Sequence, residues 1–139
     1  MILIVDDVPD SCDIMGRHLH REGYEVRTAQ SAKEAWSILD SGPLPQLIIL
    51  DVMMPETDGR TLLRSIRQSQ RLKHIPVVVC TANSSYACMA EVTALGAQGY
   101  LVKGLFDREC FLGCVNHYGG APRIAALMDA PAAPAMHPA

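Results

Sequence analysis

Absent from this sequence are a block of like charge, an apolar run of membrane-spanning length and a paired cysteine framework. The formal net charge is −3 with both signs interspersed, which excludes the electrostatic footprint of a nucleic-acid or anionic-membrane binder. The longest apolar runs are strand-sized, so no membrane span is expected. Met1-Ile2-Leu3-Ile4-Val5 enters such a run directly, without a basic region before it or a small-residue cleavage site after it, so no secretory leader is expected. The five cysteines are odd in number and irregular in spacing, which argues for free thiols in a reducing cytoplasm.

What is present is a chain of 139 residues, 49% apolar, sized for one compact domain with a real core. Residues 2–5, 47–50 and 77–80 are unbroken apolar runs rich in β-branched side chains, the mark of strands buried on both faces. Residues 25–29 are more polar and 99–102 are short, so both read as edge strands. Helical patterns occupy 10–22, 32–41, 58–70, 85–96 and 107–117. Ser31 with Glu34 predicts a capping box for the second of these, and Leu62, Leu63 and Ile66 an inward stripe on the third. Strands alternating with helices require right-handed crossovers between parallel neighbours. The expected fold is therefore α/β: a doubly wound, five-stranded parallel sheet in the flavodoxin-like order 2-1-3-4-5, layered between helices.

In that order the chain reverses between the first and third strands, and ligands sit beyond the carboxyl ends of the strands at the switch point. The first strand ends in Asp6-Asp7 and the third in Asp51, so one crevice receives three carboxylates. Three mutually repelling acids point to a hard divalent cation, and Mg2+ suits one or two carboxylates plus a phosphate. The fourth strand run ends in Thr81 and the fifth is followed by Lys103, adding a hydroxyl and an ammonium to the same crevice. This set suits phosphoryl transfer onto Asp51. Pro55 pushes Met54 toward extended backbone, so the chain leaves the third strand as a loop before an Asp58-Gly59 turn can start the next helix.

Over residues 1–118 the sequence resembles the receiver domains of two-component response regulators. The resemblance is carried by Val5-Asp6-Asp7, Leu50-Asp51-Val52-Met53-Met54-Pro55 with Asp58-Gly59, Thr81-Ala82, and Gly99-Tyr100-Leu101-Val102-Lys103. It implies that Asp51 is phosphorylated by a histidine kinase, a phosphotransfer protein or a small phosphodonor. It also implies that Asp7 binds Mg2+ directly, Asp6 largely through water, and that the Met53 carbonyl completes the protein ligands together with Asp51. Lys103 would hold the phosphoryl group, while Thr81 and Tyr100 would move together as the switch. Positions Met53 and Asn83 would modulate water access to the acyl phosphate. Output would be protein binding at the fourth helix, fifth strand and fifth helix, to a downstream target the sequence does not identify.

One departure from the family pattern concerns Gly104, which stands where the family usually has proline after a cis Lys-Pro bond. A non-proline cis bond costs about 2.5–4 kcal/mol, so a trans bond, a more mobile 103–107 loop and a Lys103 still aimed into the crevice are expected. Cys110, Cys114 and His117 share a helix face, but no further ligand pair completes a zinc site, and small buried thiols on the sheet are the favoured reading. Cys12, Cys80 and Cys88 read as core or near-core. From 119 to 139 the Ala/Pro-rich chain reads as a flexible tail without room for an effector domain, with 124–128 a candidate docking segment. Two readings stay open beside the phosphorylation switch: a phosphate shuttle or sink in a multistep relay, and a phosphorylation-independent scaffold. A haloacid-dehalogenase-like phosphatase is disfavoured because Met53 stands where its second acid would be.

Overall fold

The computed structural model describes residues 1–54 and 59–122. Its elements alternate as β1 (Ile2–Val5), α1 (Pro9–Arg21), β2 (Val26–Ala29), α2 (Ala32–Ser41), β3 (Leu47–Leu50), α3 (Gly59–Gln68), β4 (Val77–Thr81), α4 (Tyr86–Ala94), β5 (Gly99–Val102) and α5 (Arg108–Gly119). All neighbouring strands are parallel, in the expected order 2-1-3-4-5. Pairing of Val5 with both Ala29 and Leu50 brings the ends of β1, β2 and β3 level, and Thr81 pairs with Val102 on the other side. Asp6, Asp51 and Lys103 therefore leave the sheet along one edge.

The period of two along each central strand divides the core into two layers. Leu3, Val5, Ile48, Leu50, Val77 and Val79 pack against Leu39 of α2, Leu62, Leu63 and Ile66 of α3, and Val92 of α4. Ile2, Ile4, Leu47, Ile49, Val78 and Cys80 face Met15 and Leu19 of α1 and Phe111 and Val115 of α5. β1, β3 and β4 are buried throughout, whereas β2 and β5 are partly exposed, as their composition led us to expect.

Helix starts follow local chemistry. Pro9 opens α1, where a missing N–H costs nothing. Ser31, Ser85 and Asp107 cap α2, α4 and α5 by accepting from Glu34 N, Cys88 N and Cys110 N at 3.1, 3.1 and 2.8 Å, each worth about 1 kcal/mol. The capping box differs in one detail: the Glu34 carboxylate accepts from Gln30 N at 3.3 Å, one residue before the cap. The expected Pro55 break and Asp58 turn lie outside the described residues.

α5 runs through Gly119, where a side chain would meet Leu47 (2.9 Å from an ideal Cβ to Leu47 Cβ). The buried Gln46 then donates to Gly119 O and Ala121 O, both at 2.9 Å, and accepts from the Met1 amine at 3.0 Å. Tyr24 Oη donates to Gly120 O at 2.8 Å. Residues 119–121, the start of the segment read as tail, are thus tied to the lower edge of the sheet. Residues 123–139, including 124–128, lie outside the described residues. Cys12, Cys80 and Cys88 are buried as expected, but Cys110 is exposed and Cys114 half-buried. The reading of both α5 thiols as buried is corrected for Cys110, which projects to solvent one turn from the helix start. Among the described residues no helix is long and apolar enough to cross a membrane.

Candidate functional site

Beyond the upper edge of the sheet, the side chains of Asp6, Asp7 and Asp51 bring a ligand oxygen each to within 4.8 Å of one another. Among the described residues they form the one such group of metal-ligating side chains. Asp6 and Asp51 are 1% and 5% exposed, while Asp7 is half-buried at the rim. β1 and β3 place them, each strand delivering its carboxylate immediately after its last paired residue, with Asp51 N donating to Val5 O at 2.9 Å.

Each buried carboxylate is oriented by a backbone turn. Asp6 Oδ1 accepts from Val8 N and Asp51 Oδ1 from Met53 N, both at 2.9 Å, the Asx-type geometry that short acids favour at strand ends. The remaining oxygens face Lys103, whose Nζ donates to Asp51 Oδ2 at 2.9 Å and lies 2.6 Å from Asp6 Oδ2. The Asp6 contact is a short, charge-assisted one, so the buried Asp6 Oδ2 is compensated by the Lys103 ammonium. Burial pushes the Asp6 carboxyl above its ordinary value, against the opposing pull of Lys103 and the Val8 N–H. For Lys103 burial acts downward, yet its hydrogen bonds and charge contacts with Asp6 and Asp51 hold it above its ordinary value.

Lys103 reaches the pocket through a tight turn. Lys103 N donates to Thr81 O at 2.8 Å and Leu105 N to Val102 O at 3.0 Å. Gly104, third in that turn, sits at φ +85°, a region that glycine enters freely and proline cannot. The Lys103–Gly104 peptide is trans, and the ammonium points into the crevice as expected.

Thr81, fully buried at the end of β4, accepts weakly from Asn83 N at 3.4 Å. Tyr100 is turned onto the core, and its hydroxyl donates to Asn83 O at 2.6 Å. Burial, reinforced by the Cys88 thiol, raises the Tyr100 phenol well above its ordinary value. Both residues read as switch positions therefore bond to the main chain of one residue, Asn83. Its side chain also lies 3.9 Å (Nδ2) from Met53 Sδ and receives Ser85 N on Oδ1 at 2.8 Å. The sequence reading singled out Asn83 only for water access; no local signal announces a main-chain junction. Arg60 was likewise not singled out: it pairs with Glu91 and contacts Cys88 Sγ at 3.5 Å, linking α3 to α4.

The pocket fits a divalent cation on its own chemistry. With all three acids ionised, three negative charges face one ammonium, the donors are hard oxygens, and the buried Asp6 Oδ2 and Asp51 Oδ2 share that single cation.

Comparison with known proteins agrees with this geometry. The family model of the response regulator receiver domain matches residues 2–112. Response regulator PleD of Caulobacter vibrioides is 36% identical over 110 residues, which are 79% of this chain but 24% of PleD; the chain thus spans about a quarter of that relative's length. The Vibrio cholerae chemotaxis protein CheY4 superposes with a TM-score of 0.78 at 31% identity, covering 84% of this chain and 96% of CheY4. The Mn(2+)-bound form of response regulator Rcp1 superposes with a TM-score of 0.74 at 26% identity, covering 85% and 93% of the two chains. Because the family match runs from β1 into α5 and encloses every residue of the acid pocket, this chain belongs to the response regulator receiver domain family.

Proposed function

We propose that this receiver accepts a phosphoryl group on Asp51 and acts as a phosphorylation-dependent switch in two-component signalling. The observation that carries the reading is the Lys103 ammonium held between Asp51 and Asp6 in a pocket of three acids. The phosphodonor is a histidine kinase or phosphotransfer protein, met in the cytoplasm, and the output is binding to a protein target.

An Asp51 carboxylate oxygen is the nucleophile: it forms the new O–P bond as the P–N bond of a phosphohistidine breaks, and the leaving imidazole regains its ring nitrogen lone pair. Met53 N–H orients the carboxylate by holding Oδ1. Lys103 stands where charge collects on the transferred phosphoryl oxygens, and as a preorganised cation it stabilises that charge without reorganising. Asp7, Asp6 and Asp51, with the Met53 carbonyl, would hold Mg2+; divalent binding finds a parallel in Mn-bound Rcp1. When bound, Mg2+ neutralises negative charge on the phosphoryl oxygens. Thr81 then follows the new anion, and the shared anchor on Asn83 carries that movement to Tyr100, biasing a two-state equilibrium. Water attacking the acyl phosphate resets the switch, with Met53 and Asn83 flanking its approach.

Incubation with Mg2+ and acetyl phosphate should add one phosphoryl group by intact-mass measurement, and Asp51→Asn should abolish the addition because an amide is no nucleophile. Undiminished labelling of Asp51→Asn overturns the assignment. Partner capture that does not respond to beryllofluoride overturns the switch and leaves a scaffold.

A further inference from the structure

We infer that Gly59 is a positioning residue for the phosphoacceptor: the bare α-carbon at the start of α3 seats the Asp51–Val52 peptide, and any side chain there displaces it. This rests on the reading of Asp51 as acceptor and deepens it.

An ideal Cβ built on Gly59 would lie 2.6 Å from Asp51 O, 2.7 Å from Val52 Cα and 3.3 Å from Asp51 C. All three are backbone atoms, so no rotamer change relieves the overlap. Gly59 is buried, and its N–H points at Val52 O from 3.4 Å. The conformation does not demand glycine, since Gly59 is absent from the positive-φ residues; what demands it is close approach of a helix start to the chain segment bearing the nucleophile.

Relief of the overlap falls on the Asp51–Val52 peptide rather than on the helix. α3 is anchored by buried Leu62, Leu63 and Ile66. Arg67 anchors it further by donating to Gly96 O, Lys73 O, Ile75 O and Gln98 Oε1. The Asp51–Val52 peptide lies beyond Leu50, the last residue of β3. Moving it shifts the turn in which Met53 N holds Asp51 Oδ1, and with it the carboxylate that faces Lys103 and the other two acids.

The test compares Gly59→Ala with Gly119→Ala in the full chain. The second substitution creates a similar collision, 2.9 Å from Leu47 Cβ, at the opposite edge of the sheet. Both variants should melt below wild type. Gly59→Ala alone should weaken Mg2+ binding, read by titration calorimetry, and slow acetyl phosphate labelling about tenfold, since displacements well under 1 Å at a reacting centre carry rate effects of that order. Should Gly59→Ala not fold in plain buffer, both variants and wild type are measured in trimethylamine N-oxide, which favours compact states by exclusion from the surface. Wild-type Mg2+ affinity and labelling in Gly59→Ala, or an equal loss in Gly119→Ala, overturns the inference. Failure of wild type itself to be labelled overturns the parent reading instead.

Discussion

Replacing Lys103 with methionine deletes the ammonium between Asp6 and Asp51 while keeping most of the aliphatic stem. The lost contacts measure 2.6 and 2.9 Å. At an effective dielectric constant of about 20, each is worth roughly 6 kcal/mol in Coulomb energy. Ion desolvation offsets much of this, and removing one partner of a buried pair costs about 3–5 kcal/mol in practice. The Lys103 side chain keeps 23% of its surface in solvent, so the lower end, about 3 kcal/mol, is expected. In a domain of this size that corresponds to a fall in Tm of about 10 °C.

The dependence on pH discriminates further. Because burial raises the Asp6 carboxyl, the native state holds a proton that the unfolded chain has released. Stability therefore falls as pH rises from the ordinary value of 3.8 toward the raised one, and the cost persists above it. The raised Lys103 acts oppositely: its contribution is complete below 10.5 and is lost only as pH climbs through the still higher folded value. Lys103→Met thus removes the chief influence opposing the Asp6 penalty, and its deficit should be largest at neutral pH and shrink in mild acid. Urea titrations at both pH values, with and without Mg2+, read this as a shifted midpoint at unchanged slope. Mg2+ should recover more stability in the variant than in wild type, as a ligand of the native state. A deficit independent of both pH and Mg2+ refutes the electrostatic account of the pocket.

Arg67→Ala should cost about 2–3 kcal/mol in urea midpoint analysis, because it strips charged donors from the carbonyls of Lys73, Ile75 and Gly96. Its Mg2+ affinity should match wild type. Gly104→Ala should cost about 1 kcal/mol from positive φ alone, since nothing lies within 4 Å of its Cβ position. Gly104→Pro, which cannot adopt φ +85°, should also slow acetyl phosphate labelling by rebuilding the turn that aims Lys103. Iodoacetamide at neutral pH, mapped by peptide mass, should modify exposed Cys110 first. Cys12 and Cys80 should be spared, because both are buried and burial pushes their thiols up to about 11 and about 12.

Two kinds of information met in the site. The three apolar runs, the helix periods and the placement of Asp6, Asp51, Thr81 and Lys103 at strand ends were legible because each follows from a local rule: period two, period 3.6, and a polar residue where burial stops. Helix ends were legible to within a residue or two, α5 included, which ends at Gly119 with Gly120 as its C-cap. The exposure of Cys110 escaped the sequence reading because the apolar neighbours of a thiol do not reveal which side of its helix meets the sheet.

By itself, then, the sequence determined the α/β alternation, the strand order and the set of residues at the crevice, since these depend on patterns within single elements and on the handedness of connections. Only tertiary structure decided that Lys103 bridges Asp6 and Asp51 and that Thr81 and Tyr100 meet at the main chain of Asn83. It alone revealed that Gly59 touches the backbone of the nucleophile. The physical reason is range: periodicity and capping act over about four residues, whereas the Tyr100 and Lys103 contacts join residues from 17 to 97 positions apart and the Gly59 contact hinges on a few tenths of an ångström between packed backbones.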